Sequence, residues 1–321
     1  MLCYIRIYFY LMNIEASNKK IRLIIIVGPT AVGKSALAVR VARAVNGEVI
    51  SADSRQVYKG LNIGSGKITR AEMKGVPHHL LDIVSPKARS VFTVADFQKA
   101  GQKAIAEIAV RGKVPIICGG TGFYIQALVD SVIFPDVPPN KKLRAKLEKK
   151  SVTELARLLK KLDPRRYREI DKKNPRRLIR AIEIATALGK VPTFKKSSQI
   201  SGEYNPLFIG LTVENDILRA RIKKRLDSRF KQGMIAEVRK LHADGVSWRR
   251  LEIFGLEYRQ IARFLQKKIS RQEMTKRLEI EIGQYAKRQM LWFKRDKRVK
   301  WFGPKEWTEV RAHTLEFIRK S

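Results

Sequence analysis

A chain of 321 residues with 44% hydrophobic residues can bury a sizeable core, and its length suits two folded units. Lys and Arg number 67 against 30 Asp and Glu, a formal net charge of +37. Self-repulsion of that size disfavours a compact state, so the excess points to a polyanionic partner. The two cysteines, Cys3 and Cys118, are too few for a disulfide scaffold or a cysteine-based zinc module, and a reducing cytoplasm fits them.

The opening MLCYIRIYFYLMN is apolar but too short to span a bilayer, carries Arg6, and is followed by no small-residue cleavage site. Residues 1–20 are expected to be a disordered tail or an over-extension of the reading frame, with Met12 as an alternative start. No later stretch is long and apolar enough for a membrane, and a cytoplasmic location is expected. Leu23–Val27 then reads as a buried parallel strand. Gly28, Gly33, Lys34 and Ser35 match G-x-x-x-x-G-K-[ST], and Leu37, Val41, Ala44 and Val45 mark one face of the helix that follows. A glycine-rich turn that binds nothing is the plain alternative, against which all four motif positions stand in a strand–loop–helix context. In a P-loop the backbone N–H groups curl around a phosphate, Lys34 bridges its oxygens and Ser35 holds Mg²⁺.

The run EVISAD, ending at Asp53, is a short strand whose C-terminal carboxylate should face the P-loop. Gly60 to Lys67, GLNIGSGK, is a second glycine-rich loop. His78 and His79 lack a third ligand at metal spacing and suit a structural or positioning role. Val94, Phe97, Gly101, Ala104 and Ile108 predict a helix, and Val114–Cys118 another strand, closed by the GGTG turn at 119–122 as a second wall of one crevice.

Phe134 to Pro139 reads as a linker. From Lys141 to Arg180, 17 Lys and Arg face five Asp and Glu on helical patterns, too one-signed for i,i+4 pairing. Gly189 to Tyr204 reads as a return loop, and Pro206–Val213 as a further buried strand, so the basic segment is an insertion. The remainder is read as helical, with Ile222, Leu226, Phe230 and Ile235 on a core face. At its end Tyr285–Arg295 interleaves basic and aromatic residues, a composition that can stack bases and grip phosphates, or equally form an amphipathic helix with Trp292 in the core. The fold class is therefore α/β: a P-loop NTPase-like parallel sheet core (21–138 with 200–321), an inserted, mostly helical domain (139–199) and a helical C-terminal part.

The strings GPTAVGKS, ISADSRQVYKGLNIGSGK, HHLLDIV, GGTGFYI, NPRRLIRAIE and QYAKRQMLWFKR, in this order, closely resemble the tRNA dimethylallyltransferases, the tRNA isopentenyltransferase family, from about Arg22 to Trp301. The resemblance implies transfer of a dimethylallyl group from dimethylallyl diphosphate to N6 of adenine 37 in the anticodon stem-loop of tRNA, with Mg²⁺ and without ATP hydrolysis, by a monomer. It places the diphosphate on Thr30, Ala31, Val32, Gly33, Lys34 and Ser35. Asp53 matches the carboxylate that contacts the attacking amine, and Thr121 the threonine of the Gly-Gly-Thr turn. Arg225 matches the arginine at the leaving diphosphate.

For tRNA contact the same matching gives Ser54, Arg55, Gln56, Arg144, Arg176, Arg177 and Arg180, then Arg259, Lys287, Arg288, Gln289 and Lys294. Two stretches depart from the family pattern. The second glycine-rich loop reads Gly64-Ser-Gly-Lys67 where many members have Gly-Thr-Ala-Lys-Pro, and a later loop reads Gly255-Leu-Glu-Tyr-Arg259 instead of a shorter Gly-Tyr-Arg or Gly-Tyr-Lys.

N6 of adenine is a poor nucleophile, so the chemistry needs leaving-group stabilisation first and a proton acceptor second. Lys34, Arg225, the P-loop amides and Mg²⁺ suit the first task, and Asp53 the second. Asp53 as a Mg²⁺-organising carboxylate is the alternative. A small-molecule kinase would share the P-loop but not need the basic insertion. An adenylate isopentenyltransferase would run the same chemistry on a nucleotide, and an RNA-binding protein with a relic P-loop would not need Lys34, Ser35 and Asp53 together.

Overall fold

The computed structural model describes residues 20–88, 90–193 and 204–320. The expectations for residues 1–19 and for 194–203 of the return loop lie outside the described residues. Among the described residues, those of Met1–Ser131 with Ser198–Ser321 form one compact unit, and those of Val132–Ser197 a second.

The first unit is built on β1 (Ile21–Val27), whose IRLIIIV run is buried almost throughout, as a strand flanked on both sides must be. α1 (Lys34–Val45), β2 (Gly47–Ala52), α2 (Arg70–Met73) and the two-residue β3 (His78–His79) follow. Then come α3 (Val94–Val110), β4 (Val114–Gly119) and α4 (Gly122–Val129). After the second unit the chain returns as β5 (Tyr204–Leu211), two residues earlier than the apolar run suggests. β1 pairs in parallel with β4 on one side and β5 on the other, with Ile24 opposite Ile116 and Leu207. The sheet order is β3-β2-β4-β1-β5-β6, all parallel.

Alternation along β1 builds two core layers. Ile24 and Ile26 share a core with Leu37, Ala38, Val41 and Ala42 of α1; of the face read from the sequence, Leu37 and Val41 are buried in it, Val45 packs at its margin and Ala44 lies aside. Leu23, Ile25 and Val27 face Phe97, Ile105 and Ile108 of α3 and Leu128 of α4. A third core joins α9 (Asn215–Lys231), α10 (Met234–Ala243), α11 (Trp248–Phe254), α12 (Leu256–Leu265) and α13 (Arg271–Phe293). Ile222 and Leu226 are buried in it, with Phe230 and Ile235 packed at its margin. The C-terminal part is helical with one addition: β6 (Val299–Phe302) is an edge strand beside β5, and α14 (Trp307–Arg319) packs Val310 into the α1 layer. The aromatic that α13 buries most deeply is Phe293, while Trp292 lies half-buried at the edge of the same layer.

His79 and His78 have structural partners. His79 Nε2 lies 2.6 Å from the buried carboxylate of Glu48, which Arg111 also holds at 2.6 Å, and His78 Nδ1 lies 2.8 Å from the Val76 carbonyl.

The second unit is a helical bundle of α5 (Lys141–Leu147), α6 (Val152–Leu162), α7 (Pro164–Glu169) and α8 (Pro175–Leu188). Ser151 and Glu154 form a capping box on α6, and Asn174 with Pro175 starts α8. Its core is Leu147, Leu155, Leu159, Leu178 and Ile182. Most of its cations stay on the surface, but Glu183 is buried and takes both Nε and Nη2 of Arg144 at 2.7 Å.

Candidate active site

β1 ends against a turn that only glycine fits. Gly28 has φ 140°, and a Cβ there would stand 2.4 Å from the Leu211 carbonyl oxygen. Ala31 (φ 64°) and Gly33 (φ 109°) then curl the chain so that Lys34 opens α1 with no side chain capping its first turn. The loop and the start of α1 line a cavity of about 250 Å³ with Gly119 and Gly120 of the β4 end and Asp53 of the β2 end. Thr30, Ala31, Gly33, Lys34 and Ser35 all border it, whereas Val32 is turned into the core under α1. Lys34 Nζ donates to the Pro29 carbonyl at 2.7 Å. Burial, reinforced by Arg225, lowers its pKa to about 8 against the pull of Asp53. Such a buried cation at a helix N-terminus is poised to gain from an incoming phosphate. The Cys118 thiol borders the same cavity and burial pushes it up to about 11, so it stays neutral.

The opposite wall comes from two strand ends and one helix. Asp53 Oδ1 accepts the backbone N–H groups of Arg55 (2.8 Å) and Gln56 (3.4 Å), a turn that fixes the carboxylate at the C-terminus of β2. Thr121 Oγ1 accepts the Ser54 N–H at 3.2 Å, and Tyr285 of α13 borders both cavities beside it. Burial, with Asp53 nearby, pushes the Tyr285 phenol up, so it stays protonated. Gln56 turns from Asp53 toward the second glycine-rich loop, its Nε2 donating to the Gly66 carbonyl at 3.3 Å.

Gln289 joins the two walls. Its Oε1 accepts the Thr30 N–H at 2.8 Å and its Nε2 donates to the Gly120 carbonyl at 2.9 Å, while the residue is only 5% exposed. Both ends of the amide thus hold protein backbone, and Gln289 ties the two loops together while itself bordering the first cavity. Losing one such buried partner costs on the order of 1–3 kcal/mol.

Arg225 reaches from α9 across the cavity to donate to Thr30 Oγ1. Burial and the adjacent Arg229 lower its pKa to about 10, so it remains a cation at neutral pH. Beyond this crossing lies a second chamber of about 440 Å³, bordered by Ser54, Arg55, Phe254, Leu256 and Ile282, with Arg259, Glu281 and Arg288 also on its wall. The two cavities share Thr30, Asp53, Ser65, Arg225 and Tyr285, which form the waist between them.

The glycine-rich loop at 60–67 forms part of the wall, but its amides are already taken. Glu237 of α10 accepts the N–H groups of Asn62 (3.1 Å), Ile63 (2.6 Å) and Gly64 (3.1 Å) and the Tyr258 hydroxyl (2.8 Å). Lys67 closes the loop onto the Tyr58 carbonyl and Asp82. Arg229 and Glu257 border the second chamber and Glu237 holds the loop behind it, and reading the sequence alone did not single out these three; Tyr285 entered only as the first residue of the basic and aromatic run.

The stretch of α13 matched to tRNA contact has two faces. Arg288 borders the second chamber, as does Tyr285 of the waist, whereas Lys287 and Lys294 border a groove of about 770 Å³ between α9 and α13, with Ile280 and Leu291 exposed along it. Arg259 stands 4.0 Å from Glu281 at the chamber wall. In the second unit, Arg176 and Arg177 are exposed on the first turn of α8, and Arg180 Nη2 donates to the Val137 carbonyl at 2.8 Å. Arg144 is held by Glu183.

The donor set fits Mg²⁺. The Ser35 hydroxyl and the Asp53 carboxylate, both hard oxygens, border the first cavity together, and Mg²⁺ is commonly held by one or two such groups plus substrate phosphates. Among the described residues no cluster of three or more His, Cys, Asp or Glu could hold a metal by itself. No helix among the described residues is long and apolar enough to cross a membrane.

The family model for IPP transferase matches residues 56–296, starting after the P-loop. A tRNA dimethylallyltransferase of Carboxydothermus hydrogenoformans is 42% identical over 287 residues, covering 88% of this chain and 91% of the relative. The crystal structure of the full-length tRNA isopentenylpyrophosphate transferase of Bacillus halodurans superposes with a TM-score of 0.71 at 36% identity, covering 94% of this chain and 98% of that one. A eukaryotic dimethylallyltransferase acting on tRNA superposes with a TM-score of 0.75 at 25% identity, covering 94% and 80%.

Proposed function

This chain belongs to the IPP transferase family and is a tRNA-modifying prenyltransferase, and from that premise we propose that it transfers a dimethylallyl group from dimethylallyl diphosphate to N6 of adenine 37 in the anticodon loop of tRNA. The observation that carries this reading is the pair of cavities meeting at Asp53, Thr30 and Arg225. One end offers a phosphate cradle and the other a wider chamber with aromatic, aliphatic and arginine walls. A diphosphate and a base entering from opposite ends would meet at the waist.

The donor diphosphate lies in the first cavity on the backbone of Thr30 to Ser35, with Lys34 and Arg225 on its oxygens. The Ser35 hydroxyl, beside Asp53, would hold Mg²⁺, which would further neutralise the diphosphate charge. N6 attacks C1 of the allyl group as the C1–O bond breaks, and that electron pair leaves with diphosphate. Cations fixed before the reaction stabilise the departing charge without reorganising, the largest single contribution in many enzymes. The N6 proton passes to the Asp53 carboxylate, which its two backbone bonds hold in place. Thr121 braces the wall that Asp53 stands on, and Tyr285 lines the waist beside it.

The base arrives by unstacking from a single-stranded loop, which costs only a few kcal/mol. Arg55, Arg259 and Arg288 at the chamber, Lys287 and Lys294 in the α9–α13 groove, and Arg176, Arg177 and Arg180 of the second unit supply cations for RNA phosphates. We read the working form as a monomer in the cytoplasm.

The test is incubation with labelled dimethylallyl diphosphate and tRNA, AMP or ATP in parallel. Label is expected in a tRNA nucleoside only. Label in free nucleotide, or γ-phosphate transfer from ATP, would overturn the reading.

A further inference from the structure

The two departures from the family motifs, in the 64–67 loop and at 255–259, meet at one side chain. Arg229 lies one turn beyond Arg225 on the same face of α9. Its Nη1 donates to Glu257 at 3.0 Å and to the Gly64 carbonyl at 3.4 Å, and Arg229 and Glu257 are 6% and 8% exposed. A Cβ on Gly66 would stand 1.7 Å from Arg229 Nη2. A guanidinium usually steps aside from such a clash, but this one is buried and paired, so it could move only by leaving Glu257. Immediately before Glu257, Leu256 adopts φ 40°, a left-handed conformation that leucine rarely takes. Gly66, Arg229 and Glu257 therefore depend on one another, although they lie in three separate parts of the chain.

We propose that Arg229 and Glu257, with Gly66 leaving the space they need, form a buried positioning pair that holds Arg225 and the 64–66 loop in place at the waist. The inference rests on the prenyl-transfer reading of this site. Two guanidinium groups one turn apart repel, and Arg229 does push on Arg225. Glu257 offsets the outer charge, so that Arg225 stays turned to Thr30 and the P-loop. The Gly64 carbonyl fixes the same guanidinium to the loop, and Ser65 of that loop borders both cavities. Breaking a buried pair on one side leaves an uncompensated charge, whereas removing both partners is often tolerated. The pair acts through Arg225 and the loop, not on the reacting atoms.

Single-turnover prenylation of tRNA at saturating donor separates this role from a merely structural one, because lost folding lowers the amplitude and lost positioning lowers the rate constant. Arg229→Met and Glu257→Gln should each slow the rate constant by about tenfold or more, with amplitude and tRNA affinity within about twofold of the parent chain. The double variant should be no slower than the worse single. Glu257→Asp should recover part of the rate.

Gly66→Ala should slow the parent chain at least about fivefold more than it slows the double variant, since the guanidinium that a Cβ would meet is absent there, while the strain of φ 62° is common to both backgrounds and cancels from the comparison. Should a single variant fail to fold, a double variant more stable than either single sustains the pairing, and one less stable than both overturns it. Equal costs of Gly66→Ala in both backgrounds, multiplying single effects, or an unchanged rate constant with falling amplitude would each overturn the inference. An inactive parent chain in the same assay would instead strike the functional reading beneath it.

Discussion

Two glycine-rich loops border the same waist, and they use their amides in opposite ways. In the loop at 28–35 the curled backbone and the uncapped start of α1 border an open cavity. In the loop at 60–67 three successive amides close on the carboxylate of Glu237, which sits where an anion would. The glycines differ too. Gly28 is required by the Leu211 carbonyl beneath it, while Gly64 and Gly66 make room for Tyr258 and the Arg229 guanidinium. Glycine content thus reports that backbone must curl or pass closely. Whether the curl is left for a ligand depends on a side chain from elsewhere in the chain.

The largest effect expected at this pair of loops is chemical and falls on the residue between them. Asp53→Asn should bind donor and tRNA almost normally, while the single-turnover rate drops by about 10²–10⁴-fold at every Mg²⁺ concentration. Recovery of the full rate at saturating Mg²⁺ would make Asp53 an organiser of the metal and leave the N6 proton to water or to the departing diphosphate.

Next comes the filled loop. Glu237→Gln removes the charge that three amides and the Tyr258 hydroxyl share, and should lower stability by roughly 1.5–3 kcal/mol in urea unfolding, the usual worth of hydrogen bonds to a charged group. Added inorganic phosphate should not restore it. Restoration by phosphate would mean that this loop, too, is an anion site.

The smallest of these effects is a pH dependence at the open loop. Lys34 is protonated below its lowered pKa of about 8 and neutral above it. Donor KM should therefore hold steady up to about pH 8 and then rise by about tenfold per unit as the ammonium is lost. In Lys34→Arg, which stays charged, that rise should vanish. A KM that climbs equally in both proteins would place the titration elsewhere.

Much of this was legible in the sequence because it is local. The P-loop, the carboxylate ending β2 and the Gly-Gly-Thr turn each declare themselves within a few residues of a strand end, and parallel strands bring such ends to one edge. Glu237 was not legible, since its three amide partners lie 173 to 175 residues away and nothing around it marks it out. The same distance problem hid the Arg229–Glu257 pair, although both of its outlying contacts were visible as departures from the family's usual strings.

α13 carried a signal that could have been read. Lys287, Leu291 and Lys294 recur at helical spacing on one stripe, and Tyr285, Arg288 and Gln289 on another, so one run of residues serves two surfaces. β6 offered no comparable signal. Four residues are too few for alternation to show, and they come soon after a long helix that ends at Phe293.

Amide shifts under a titration with inorganic diphosphate and Mg²⁺ test the contrast between the loops most directly. The amides of Gly33, Lys34 and Ser35 should move and saturate, while those of Asn62, Ile63 and Gly64 stay in place under the Glu237 carboxylate. Movement at Asn62 to Gly64 with a silent P-loop would contradict the account.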